Sequence, residues 1–301
     1  MNIQGFDFLK GCLKILSENS EKILTFQKYL ETDFEKKLFE AAINNLLDVH
    51  NPLRFNNFSY AMRELLDHIL KRLAPDEYVK KCIWYTPPAG ERKVVRSQRI
   101  KYAIQKGLPD SFISRELGID VASVQRNITH IIQELNKYVH ISQNTFDIAP
   151  IDQLEKLSSF LDSILELFKI IDDIKTEIID SMIGHIEREV VDEILKNFDK
   201  LEGYVTHAYW GDYEIKIVEL EDMDYEKLYV RVSGIIEPEF QIGSDSDVKK
   251  GNGMVFTKQI PFVARLVSNI KKNPYELQVE KFNIDINDTR DFWEDIRILE
   301  D

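Results

Sequence analysis

Apolar positions recur at helical spacing through the first two thirds of the chain and then switch to alternation. Residues 6–48 read as helix throughout, with Phe8, Leu9, Cys12, Leu13 and Leu16 in one stretch and Leu30, Phe34, Leu38, Ala42 and Leu46 in the next. Asn51-Pro52 ends that unit. Phe58, Met62, Leu65, Leu66, Ile69 and Leu73 predict a helix over 55–73, which Pro75 stops. TPPAG at 86–90 predicts a loop, and helices over 95–107, 110–117 and 120–139 are then punctuated by Gly107, Pro109 and Gly118. Beyond ISQNTFDIAP, residues 151–198 predict two long amphipathic helices. The first carries Leu154, Leu157, Leu161, Ile164, Leu165 and Phe168, the second Ile179, Met182, Ile183, Ile186, Val190, Ile194 and Phe198. Such faces need cover from the earlier helices or from a partner chain. His185 falls among the polar positions of the second.

At Gly203 the period changes. YEIKIVEL, KLYVRVSGII, VFTKQIPFVARL and YELQVEKFNIDI alternate or run β-branched and aromatic, separated by the turn-rich DMDY, GSDSDVKKGNG and NIKKNP. They predict a small antiparallel β-domain over 201–290 with an acidic tail. The expected fold class is therefore α+β: an all-helical N-terminal domain at 1–200, its core at 54–140 and its long helices at 151–198, then the β-domain at 201–301.

Composition leaves this picture standing, since 44% hydrophobic and 30% charged residues with 12 Gly and 9 Pro exclude a disordered or collagen-like chain. No apolar run approaches the roughly 20 residues needed to span a bilayer, and no basic stretch precedes an apolar run at the start. Cys12 and Cys82 give neither a disulfide framework nor a metal-ligand spacing. These features predict a cytoplasmic protein without a membrane partner. Net charge is -13, yet Arg54–His140 is +6 and everything outside it is -19. The densest basic run, ERKVVRSQRIKYAIQK, presents Arg92, Lys93, Arg96, Arg99, Lys101 and Lys106 as candidate phosphate contacts. The competing reading is a solvated helix face paired with acidic neighbours.

Two Arg/His arrangements have the groups for ribonuclease chemistry, in which a histidine handles the 2′-hydroxyl proton and an arginine stabilises the phosphorane. Arg63 and His68 are five residues apart, which puts them roughly 140° apart around a helix axis. Arg126 and His130 are four apart and share a polar side with Gln133, Lys137 and His140, opposite Val124, Ile128, Ile131, Leu135 and Val139. The plain alternative is the solvated side of an amphipathic helix. ISRELGIDVASVQRN also fits a helix-turn-helix. Ser114, Gly118 and Val124 then occupy the small, turn and later apolar places, and Val121, Ala122, Gln125 and Arg126 lie on the recognition helix. In GSDSDVKKGNG, Asp245 and Asp247 alternate as weak candidates for a divalent cation, with His207 a third; an ordinary loop explains them as well. No Gly-rich phosphate loop, zinc spacing or nucleophile elbow is present, so no cofactor is expected.

The blocks FSYAMRELLDHILKRLAP, RSQRIKYAIQKGL, ELNKYVHI, GYVTH and FQIGSDSDVKKGNG with IPF resemble the predicted pPIWI-associating nuclease family of bacterial conflict systems, over most of residues 54–286. The helical half is similar, more distantly, to HEPN-type ribonucleases, whose motif is Arg, four to six residues, then His. Arg63 and His68 keep that spacing with Glu64 in place of the usual Asn, Asp or His. Arg126-Asn127 has the expected dipeptide, with His130 one residue early. The resemblance implies a nuclease effector of antiviral or mobile-element conflict, acting on nucleic acid, RNA above DNA. The likeness to HEPN ribonucleases also implies a homodimer that completes the site, with the long helices at 151–198 as its interface, and the β-domain is expected to dock another defence protein or sense a trigger. A non-catalytic helix-turn-helix or docking module is the alternative.

Overall fold

The computed structural model describes residues 17, 19–48, 50–90, 93–202 and 205–285. The stripe from Phe8 to Leu16, Arg92 and the acidic tail lie outside them. The chain is α+β, and it falls into two compact units, Met1–Ile174 and Lys175–Asp301. Among the described residues no helix is long and apolar enough to cross a membrane.

The first unit is helical: α1 (19–27), α2 (Asp33–Leu47), α3 (Arg54–Leu73), α4 (Asp76–Val79), α5 (Arg96–Gln105), a five-residue π-helical turn Phe112–Glu116, α6 (Val121–Val139) and the first half of α7 (Pro150–Asn197). The helix expected over 6–48 is broken, because Thr32 caps α2. Its Oγ1 accepts from the Glu35 amide at 3.1 Å while Glu35 Oε2 accepts from the Thr32 amide at 3.4 Å. The new start sets a new phase, so Phe39, Ala42 and Leu46 are buried and Phe34, expected in the core, is exposed. Glu35 takes the inward place because Arg72 of α3 meets it at 2.8 Å. Phe26 is the aromatic hub, edge-on to Phe39 at 5.1 Å and to Phe160 of α7 at 6.4 Å. Tyr29 stacks on Phe168 at 4.1 Å, which fastens the turn after α1 to α7.

Residues 151–198, expected as two helices, form the single 48-residue α7. No Gly or Pro punctuation stronger than Gly184 interrupts 151–197, and an isolated helical Gly costs only about 1 kcal/mol against Ala. The division between the units falls inside it, after Ile174.

The second unit joins the rest of α7 and α8 (Asp199–Glu202) to a five-stranded antiparallel sheet: β1 (His207–Met223), β2 (Lys227–Ile242), β3 (Met254–Thr257), β4 (Ile260–Asn269) and β5 (Leu277–Ile284). The order is β1-β2-β4-β5, with β3 pairing the far end of β2 beside β4. Leu228, Val230, Val232, Ile236 and Phe240 alternate inward along β2, matched by Ile260, Phe262, Ala264 and Leu266 on β4. Tyr275 stacks on His185 at 4.9 Å and the Tyr213 hydroxyl donates to Glu187 at 2.9 Å. They flank Ile186, which is fully buried like Val190 and Ile194 farther along α7. His185 is thus half-buried between Tyr275 and Arg188 rather than free in solvent. VFTKQIPFVARL, read as one strand, divides into β3 and β4, and GSDSDVKKGNG, read as a loop, holds a six-residue helix α9 (Asp245–Lys250) capped by Ser244.

Candidate functional site

In α3, Arg63 is turned to its own neighbours. Its Nη2 meets Glu64 Oε1 at 2.6 Å and its guanidinium lies over Tyr60, 5.2 Å from the ring centre. His68 is exposed and packs on Phe34 at 4.6 Å. Each ends on a different partner, as their angular separation on one helix dictates. Glu64, the departure from the motif, is the residue that neutralises the arginine.

The basic run faces inward more than its charge suggests. Arg99 is buried and its Nη2 lies 2.6 Å from Asp76. Lys101 pairs with Asp110 at 2.7 Å over the Trp84 ring. Lys106 sits at φ 50° where α5 ends; its carbonyl accepts from Trp84 Nε1 at 2.8 Å and its Nζ donates to the Leu73 carbonyl and covers Tyr102. Arg96 reaches Asp67 at 3.4 Å with 41% of its side chain exposed, and Lys93 is exposed. The solvent-facing cations of this run, among the described residues, are therefore Lys93 and Arg96. Burial pushes the Asp67 carboxyl up, but Lys71 and Arg96 outweigh it and hold it below the ordinary aspartate range.

Of the helix-turn-helix expected over residues 113–127, the first helix is only a five-residue π-helical turn. The Phe112–Glu116 turn leads through Gly118 at φ 67°, where a side chain would strain the backbone, to Asp120, whose carboxylate accepts from the Ser123 amide at 3.0 Å. Val121 and Val124 are buried, Ala122 and Arg126 exposed, and Gln125 is spent on the Ser97 carbonyl at 2.7 Å.

Farther along α6, Val124, Ile128, Ile131 and Leu135 are buried as expected, while Arg126, His130, Gln133, Lys137 and His140 face solvent. Arg126 makes only a long contact with Asp120, at 3.6 Å. His140 caps the helix, and its carbonyl accepts from Thr145 Oγ1 at 2.9 Å. His130 differs from the others because it stands at a cleft of 270 Å³ between α6 and α7. Glu134, Tyr138, Glu155, Lys156 and Ser159 share the rim, and Phe55, Ile131, Leu135 and Phe160 form the apolar part. Glu134 is hydrogen-bonded by Lys137 and sits in the fields of Lys137, His130 and Lys156, which hold its carboxyl below the ordinary glutamate range although burial opposes this. A hydrogen bond with the Tyr138 side chain raises the Lys156 ammonium, against burial, and Glu134 and Asp152 add to the effect. A histidine, a lysine, a tyrosine and a carboxylate converging on one cleft can move a proton and stabilise an anion.

Sequence reasoning missed Glu134, Tyr138 and Lys156. The first two were within reach, at one and two helical repeats beyond His130 on the same stripe. Lys156 comes from α7, and no spacing signals its arrival. Of the weak metal candidates, Asp247 closes the Ser244 capping box, Asp245 accepts from Gln241 at 3.0 Å, and His207 lies 6.2 Å from the Tyr209 ring. Among the described residues no group of three or more His, Cys, Asp or Glu is placed to hold a metal ion.

Two family models match the chain, both described as predicted pPIWI-associating nuclease, one over residues 27–167 and the other over 171–293. Their junction falls within α7, close to the division between the two compact units. The chain belongs to this family of predicted nucleases. No curated protein and no solved structure matches it.

Proposed function

We propose that the chain is a metal-independent endoribonuclease, HEPN-like in its chemistry, whose working face is α6. The observation that carries this reading is the position of His130, the one histidine of the candidate set at the mouth of a cleft lined by other ionisable groups. His130 takes the proton of a ribose 2′-hydroxyl, whose oxygen bonds to phosphorus as the bond to the 5′-oxygen breaks, and solvent water protonates the departing 5′-oxygen. The products are a 2′,3′-cyclic phosphate and a 5′-hydroxyl end. Arg126, exposed one turn away, and Lys156 supply positive charge to the phosphorane. Lys93 and Arg96 extend the contact to flanking phosphates. We further propose an effector role in bacterial antiviral or mobile-element conflict, with the chain acting as a homodimer and its β-domain docking another defence protein.

The test is incubation of the purified chain with labelled RNA and DNA, in EDTA and in magnesium. Cleavage of RNA alone in EDTA, with cyclic phosphate ends, is the expected result; strict magnesium dependence overturns it. A second reading, duplex DNA binding without cleavage, draws on Gly118, the Asp120 cap and the exposed first turns of α6. Sequence-selective retention of duplex DNA in the same experiment would favour it.

A further inference from the structure

The cleft beside His130 holds more than a proton carrier needs. The half-buried Tyr138 ring, with Ile131 and Leu135 beside it, gives it apolar surface over the buried Phe55 and Phe160, and Tyr138 stands edge-on to Phe55 at 4.9 Å and 83°. Lys156 brings its Nζ to 5.1 Å from the centre of the Tyr138 ring. Glu134 and Glu155 are on the rim, and Glu134 is neutralised by its ion pair with Lys137. At 270 Å³ the cleft has room for one base. Flat apolar surface takes the faces of a base, carboxylate oxygens accept from exocyclic amino groups, and an ammonium takes a phosphate.

We propose that the α6–α7 cleft seats one unpaired nucleotide, its base on the apolar lining and its phosphate on Lys156. This assignment rests on the reading of α6 as the cleavage face, and it adds a substrate class to it: a nucleotide can enter only when unstacked, so the substrate is single-stranded RNA or a loop. Lys156 is then a substrate-binding residue, and the seated nucleotide carries its 2′-hydroxyl toward His130.

Calorimetric titration of the full chain with adenosine, guanosine and uridine 3′-monophosphates, and with inorganic phosphate, tests the seat. At least one nucleotide should bind about tenfold more tightly than phosphate. Lys156→Ala should weaken nucleotide binding about tenfold, and Ser159→Trp, which fills the mouth from an exposed position, should abolish it. Both variants should melt like the wild type. The proposal is overturned if no nucleotide outbinds phosphate, or if both folded variants bind as the wild type does. His130→Ala separates the two readings. Loss of cleavage without any nucleotide binding in the wild type sinks the seat alone, and retained cleavage with intact binding sinks the catalytic reading alone.

Discussion

The guanidinium of Arg99 lies 2.6 Å from Asp76 with 8% of its side chain exposed. A cation so placed is a structural member of the helical core, whatever the charge of the run around it. Arg99→Ala leaves only Asp76, which is 42% exposed and can rehydrate, whereas Asp76→Ala strands the buried guanidinium. Asp76→Ala should therefore destabilise the first unit the more, by about 3 kcal/mol, read by chemical denaturation.

Lys93 and Arg96 report on nucleic acid without that lesion. Replacing both with Glu should leave the melting temperature nearly unchanged and weaken RNA binding. The slope of log K against log salt should fall by about 1.4 for a single strand, measured by filter binding across a salt series. An unchanged slope removes these residues from the interface.

His130→Ala should lower RNA cleavage by about two orders of magnitude or more at an unchanged melting temperature, because the side chain is exposed and fills no core. Arg63→Ala should change cleavage little, its charge being satisfied by Glu64. The opposite pattern, with Arg63 essential and His130 dispensable, would move the active site to α3.

Acid should weaken the first unit through Glu35. Burial pushes this carboxyl up, but the hydrogen bond from Arg72, the amides of Glu31 and Thr32 and the attraction of Arg72 prevail, and it lies below the ordinary glutamate range. A folded pKa below the unfolded value of about 4.3 gives stability that is whole above that pH and is lost as pH falls through the folded pKa. Thermal melts from pH 7 to 3 should therefore fall more steeply for the wild type than for Glu35→Gln.

The turn after β2 should tolerate no side chain at Gly253. A β-carbon there would lie 2.7 Å from the Ile242 carbonyl oxygen and 2.9 Å from the Val248 amide nitrogen, both backbone. Gly253→Ala should destabilise the second unit by about 2–3 kcal/mol, whereas Ser244→Ala, which removes the α9 cap, should cost about 1 kcal/mol. Equal effects in a denaturant titration would contradict this geometry.

The α+β order, the boundaries of α3 and α6 and the inward alternation of β2 and β4 were legible in the chain, because each follows from a local period that burial enforces. So was the exposed face from Arg126 to Lys137, since one amphipathic helix fixes its own polar side. What the period could not give was partnership. Phe34 and Glu35 exchanged places because Thr32 restarted the helix and Arg72 came from α3; Arg99 and Arg96, three residues apart, differ in burial, and each meets a carboxylate, Asp76 of α4 or Asp67 of α3, from another helix. His130 was one polar residue among several until α7 laid Lys156 and Phe160 beside it. Sequence determines which side of a helix faces outward, through the free energy of burying that helix's own apolar side chains. Only tertiary structure decides what an outward or inward charge meets, because the partners come from distant segments whose approach no local spacing records.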